Sequence, residues 1–135
     1  MKKIELLKIV SFEKLVETLK LDKLSGQEKY DLMKIFRKIK LVNTEFEEFK
    51  QDIINRYVST DEFKEVSEKS KEGDEEAKAK INKINAEVND IVYKELNSEK
   101  ELSIDPISED LFKSFIDSNP NLNVSDLLLL EDVLL

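Results

Sequence analysis

Cysteine, histidine and tryptophan are absent from this chain, and glycine and proline occur only twice each in 135 residues. Without cysteine there is no disulfide, no thiolate metal ligand and no thiol redox chemistry. Without histidine the usual zinc ligand is missing, as is the one side chain that titrates near neutrality unperturbed. A serine nucleophile would have no histidine base to activate it. Gly26 and Gly73 stand alone, so no glycine-rich loop cradles a phosphate. Long apolar runs are missing too. Nothing approaches the length of a bilayer span, and Glu13 and Lys14 interrupt the N-terminal segment before it reaches signal-peptide length. The expectation is a soluble, cytoplasmic protein with no cofactor, no bound metal and no membrane partner.

What the chain does contain is charge. Charged residues make up 39% and hydrophobic residues 40%, a balance that suits long helices with solvated flanks, and the length suits one domain with one core. The net charge of −8 is unevenly placed: residues 1–58 carry +3, 59–76 carry −5, 77–96 carry +1 and 97–135 carry −7. An acidic exterior repels phosphate, which argues against direct nucleic-acid binding.

Two apolar stripes organise the chain. Ile35, Ile39, Val42, Phe46, Phe49 and Ile53 recur at alternating three- and four-residue spacing, as do Ala77, Ile81, Ile84, Val88 and Ile91. An average repeat of 3.5 residues keeps a narrow seam on one side of a helix, so the spacing predicts two helices, about 27–58 and 74–96, packed as a coiled-coil-like antiparallel hairpin. Between them lies an acidic tip, 59–73, with one helical turn after Thr60. Before them, Ser11 caps a short helix carrying Phe12, Leu15, Val16 and Leu19, and Gly26 stops it. After them, residues 97–135 form an extended arm and helices. Leu102, Ile104 and Ile107 alternate around Pro106, an edge strand suited to pairing residues 101–107 with 3–8. Ser108 caps a helix bearing Leu111, Phe112, Phe115 and Ile116, and Ser125 caps a terminal one. The fold class is therefore mainly α: a single helical domain over 1–135, a long hairpin with short N- and C-terminal helices and a two-stranded β element.

Carboxylates are the only side chains present in numbers that suit catalysis. Glu45, Glu48 and Asp52 edge the first seam, and Glu87 and Asp90 edge the second, an arrangement that resembles all-helical, magnesium-dependent nucleotide pyrophosphatases. Glu87-Val88-Asn89-Asp90 fits a Glu-x-x-Asp half. Thr44-Glu45-Phe46-Glu47-Glu48 departs from the Glu-Glu-x-x-Glu spacing of the other half, and Lys80 and Lys83 would neutralise a metal site. Acids and lysines flanking a helical seam normally solvate it and set its orientation.

A second resemblance runs along most of the chain. Met1-Lys2-Lys3-Ile4-Glu5-Leu6, Glu28-Lys29-Tyr30-Asp31-Leu32-Met33-Lys34-Ile35, Glu45-Phe46-Glu47-Glu48-Phe49, Arg56-Tyr57, Glu87-Val88-Asn89-Asp90-Ile91, Leu102-Ser103-Ile104 and the leucine-rich Leu127 to Leu135 follow one another in an order that resembles an uncharacterised family of small proteins from phages and prophages of low-GC Gram-positive bacteria. The resemblance implies a helical phage protein in the host cytoplasm or the virion and transfers no site residues. The functional expectation is a non-enzymatic protein acting through protein–protein interaction, in virion assembly or an accessory role. The alternatives are an acidic inhibitor of a host defence nuclease or nucleic-acid-binding protein, and the magnesium-dependent pyrophosphatase. Candidate partner-binding residues are Glu65, Glu68, Glu72 and Glu75 at the acidic tip, with Leu127, Leu128, Val133 and Leu134 in the terminal helix. That helix is apolar nearly all round, so it either closes the core or meets a partner, a second copy of the chain included.

Overall fold

A computed structural model describes residues 2–135; Met1 lies outside the described residues. In chain order the elements are β1 (Lys2–Glu5), α1 (Leu6–Val16), α2 (Gly26–Val58), α3 (Asp61–Lys71), α4 (Glu75–Leu96), β2 (Glu99–Leu102), α5 (Glu109–Asp117) and α6 (Val124–Leu134). The protein is mainly α, with a two-stranded antiparallel sheet. Two compact units divide it. One comprises the chain up to Thr44 together with Ser98–Leu135, and the other is Glu45–Asn97.

In the first unit, chain segments far apart in sequence close on one core. Strand β1 pairs with β2 in the register Lys2 to Leu102, Lys3 to Glu101, Ile4 to Lys100 and Glu5 to Glu99. Pairing near the expected segments does occur, but it ends at Glu5, because Leu6 already begins α1 and its N–H donates to Ser98 O at 2.9 Å. Helix α1 thus starts one and a half turns before the expected cap at Ser11. Leu6, Ile9 and Phe12 then share its buried face, and Phe12 meets the Phe36 ring of α2 with centroids 6.0 Å apart and planes tilted by 56°. Helix α1 packs on α6, whose Leu130, Val133 and Leu134 are at most 1% exposed. Leu111 and Phe115 of α5 join the same core.

Caps explain most helix boundaries. Gly26 is the first residue of α2 rather than a stop. Ser25 Oγ accepts from Glu28 N at 3.2 Å and Glu28 Oε1 accepts from Ser25 N at 3.0 Å, a reciprocal capping box. Ser108 Oγ accepts from Leu111 N at 3.1 Å at the start of α5, as its sequence position predicts. Helix α6 begins one residue before Ser125: its cap is Asn123, reciprocally bonded with Asp126. The loop after α1 is held by Asn119, which accepts from Lys20 N at 2.7 Å and donates to Lys20 O at 2.8 Å and Phe115 O at 2.9 Å. Ser118 Oγ accepts from Lys23 N at 2.9 Å.

On α2 the buried positions Leu32, Ile35, Ile39, Asn43, Phe46 and Ile53 follow the expected seam with two departures: Asn43 is 7% exposed whereas Val42 is only half-buried, and Phe49 is half-buried as well. Asn43 Nδ2 donates to the Glu13 carboxylate on α1. Its Oδ1 is buried without a partner among the described residues.

In the second unit the segment expected to be an irregular tip is a three-turn helix. Thr60 Oγ1 accepts from Phe63 N at 3.1 Å, Asp61 and Glu62 complement the N-terminal end of α3, and Glu65 pairs with Lys69 at 3.2 Å. Its inward side carries Phe63, Val66, Ser67 and Ser70, where small serines let α4 approach with Cα–Cα separations within 8 Å. The turn between α3 and α4 is built twice over. Gly73 N donates to Ser70 O and Asp74 N to Lys69 O, both at 3.1 Å, closing α3 as a Schellman motif. Asp74 Oδ1 in turn accepts from Glu76 N and Ala77 N and opens α4. Gly73 sits at φ +93°.

A Cβ at position 73 would meet no atom within 4 Å, so any penalty comes from the backbone alone. Gly73→Ala is expected to destabilise the protein by about 1–2 kcal/mol, measured by urea unfolding; an unchanged midpoint would contradict the left-handed turn. Asn43→Leu is expected to stabilise by about 1 kcal/mol, because it removes an orphaned buried carbonyl while Glu13, half-exposed, can turn to solvent. A lower urea midpoint would show that the amide contributes more than it costs.

Candidate functional site

Four acids on α3 and the turn after it, Asp61, Glu65, Glu68 and Glu72, recur at four-, three- and four-residue spacing, and all four are exposed. At about 100° per residue they share one helical face, opposite Phe63 and Val66. Their structural roles differ. Asp61 stands in the first turn of α3 and Glu75 in the first turn of α4, where the helix dipole favours negative charge. Glu65 and Glu75 also have lysine partners, at 3.2 Å and at 3.6 Å to Lys78. Glu68 and Glu72 stand at the other end of α3, where the dipole disfavours acids, and neither has an ion-pair partner among the described residues. Neither the helix dipole nor an ion pair accounts for these two. Of the four glutamates singled out from the sequence, they are the ones local structure leaves unexplained.

The terminal-helix candidates separate sharply. Leu128 is 56% exposed and Leu127 half-buried, but Val133 and Leu134 are at most 1% exposed in the first unit's core. Val133 and Leu134 are therefore corrected from partner residues to core residues, because no partner could touch them without opening the contacts of α6 with α1. Exposed apolar side chains off the packed faces include Met33 and Leu41 on α2, Tyr93 on α4 and Val124 on α6, and Tyr30, which the sequence places at the end of the α2 seam, is 52% exposed as well. The signal for Leu41 was available, since it lies off the seam that runs through Leu32, Ile35 and Ile39.

The carboxylates considered for a metal site, Glu45, Glu48 and Asp52 on α2 and Glu87 and Asp90 on α4, are all exposed. Among the described residues no three acids are gathered closely enough to hold a metal ion. Clefts in the first unit include one of about 380 Å³ beside Lys34, Lys38 and Pro106 and one of about 480 Å³ beside Lys20 and Pro120. The polar groups at their edges serve the fold: Lys38 Nζ donates to Ser103 O, and Ser118 and Asn119 hold the loop after α1. Lys8 pairs with Asp132 at 3.1 Å, and that hydrogen bond and charge raise the Lys8 pKa above the usual lysine value. Lys2 shifts the other way, lowered by partial burial against the pull of Asp132. The Lys8 contribution is fully present below the ordinary lysine range and is lost only as pH rises through its raised value, so it is constant near neutrality. Among the described residues no helix is long and apolar enough to cross a membrane.

Leu134→Ala should cost about 2–5 kcal/mol by leaving a cavity in the core, whereas Leu128→Ser should stay within about 0.5 kcal/mol. Thermal melts of the two variants at low concentration test this assignment, and equal losses would contradict it. Searches of known protein families, curated proteins and solved structures find no match to this chain.

Proposed function

We propose that the protein is non-catalytic and acts by binding another protein through the acidic face of α3. The observation that carries this reading is the pair Glu68 and Glu72: exposed acids at the unfavourable end of a helix, continuing a row with Asp61 and Glu65 that faces away from the packed side. A charge arrangement that does not stabilise its own helix is accounted for by a basic surface on a partner, which it steers and orients. The resemblance to phage and prophage proteins sets this binding in an infected host cytoplasm or in virion assembly.

A second reading rests on the same row. Four carboxylates over about 16 Å of helix offer a line of negative charge suited to a basic groove that otherwise holds nucleic acid, as in an inhibitor of a host nuclease. The two readings differ in the captured partner. Duplex DNA displaces the protein from a nucleic-acid-binding partner and leaves an assembly partner in place.

The test is affinity capture from phage-infected cells with wild type and with a variant carrying Glu65→Lys, Glu68→Lys, Glu72→Lys and Glu75→Lys. The expected result is a partner whose association slows as salt rises, exposed charges being screened beyond about 8–10 Å, and which the variant loses while its circular dichroism is retained. Capture by the reversed variant as efficient as by wild type would overturn the reading.

A further inference from the structure

Two exposed stripes in the first unit match each other in spacing and oppose each other in charge. On α2, Tyr30, Met33, Arg37 and Leu41 fall at positions i, i+3, i+7 and i+11, all exposed, with Tyr30 at 52% and Leu41 at 65%. On α6, Val124, Leu128, Glu131 and the capping residue Leu135 fall at i, i+4, i+7 and i+11, again all exposed, with Val124 at 71% and Leu128 at 56%. Each set occupies a narrow wedge of its helix over about 16 Å. Each has apolar side chains around one central charge, basic on α2 and acidic on α6. Neither Arg37 nor Glu131 has an ion-pair partner among the described residues. Lysines flank the α2 stripe, while residues 97–135, which include α6, carry a net −7.

We infer that the α2 stripe is the docking site for the α6 stripe of a second copy of this chain. The spacing specifies the alignment. Laid parallel, Arg37 falls opposite Glu131, Tyr30 and Met33 meet Val124 and Leu128, and Leu41 meets Leu135. Laid antiparallel, Arg37 falls opposite Leu128 and is left against carbon, while Glu131 falls opposite Lys34, which already pairs with Asp31 at 3.5 Å and covers the Tyr30 ring. Opposite charges at the centre of an apolar contact fix register more than they add affinity. Because the two stripes are different surfaces, each copy offers one of each, so the contact either closes reciprocally or extends head to tail. Two four-residue stripes make a small interface, and association on the order of 10⁻⁴ M is expected. This inference does not rest on the acidic face of α3 and can fail without it.

Sedimentation equilibrium across a concentration series tests it. Wild type should rise above its 15.7 kDa monomer mass; Arg37→Glu and Glu131→Arg should each weaken association roughly tenfold or more, and the two together should restore it. The absence of native cysteine allows a second measurement that reads alignment. Leu41→Cys with Leu135→Cys should form an intermolecular disulfide under mild oxidation, and Leu41→Cys with Val124→Cys should not. A wild type that stays monomeric at millimolar concentration overturns the proposal, as does a double charge swap no better than the single ones or crosslinking that favours the Val124 pair.

Discussion

The first unit depends on one contact between distant parts of the chain, that of Leu130, Val133 and Leu134 with the core shared by Ile9 and Phe12. Bringing segments some 120 residues apart together costs about 4 kcal/mol of chain entropy. Burial of three aliphatic side chains at roughly 2 kcal/mol each offsets that. The β1–β2 pairing and the Lys8–Asp132 pair also join early and late segments, and the bond from Ile107 N to Leu134 O at 3.0 Å ties the end of α6 to the stretch before α5. Each would be weak alone. They are held because the apolar contact has already fixed the geometry in which they form.

How legible this was from sequence varied with the physical signal. Helix α4 was placed to within a residue by its apolar stripe, and α5 by its stripe and by Ser108, whose side chain bonds the backbone amide of Leu111 only three residues away. The start of α2 was legible in principle, because Ser25 and Glu28 have capping-box spacing, but Gly26 between them read as a stop. The start of α1 was not legible, since its first turn is secured by the carbonyl of Ser98, a partner 92 residues later that no local pattern reveals. Helix α3 was hidden because Ser67 and Ser70, which line its packed side, do not register as apolar.

The exchange of Val42 for Asn43 has a different origin. A strict seven-residue repeat places Ile35, Val42 and Phe49 in line, and on α2 these go from buried to half-buried. An α-helix of 3.6 residues per turn drifts about 20° per heptad away from a 3.5-residue repeat. That drift turns the next position inward and brings Asn43 under cover. The acidic candidates were visible as composition, but which of them the fold explains required knowing where α3 begins and ends. The α2 and α6 stripes required knowing which faces the core leaves uncovered.

Burial is shared unequally between the two units. Among the described residues every apolar side chain below 2% exposure belongs to the first, while the second has Phe46, Ile53, Val66 and Ala77 buried, at 3–7%. The antiparallel pair α3 and α4 is held by local capping and by short-range contacts rather than by a deep core. Such a segment is expected to open short of global unfolding, with amide protons exchanging faster than those of the first unit's core. The acidic face of α3 is therefore carried on the part of the molecule with the shallower core.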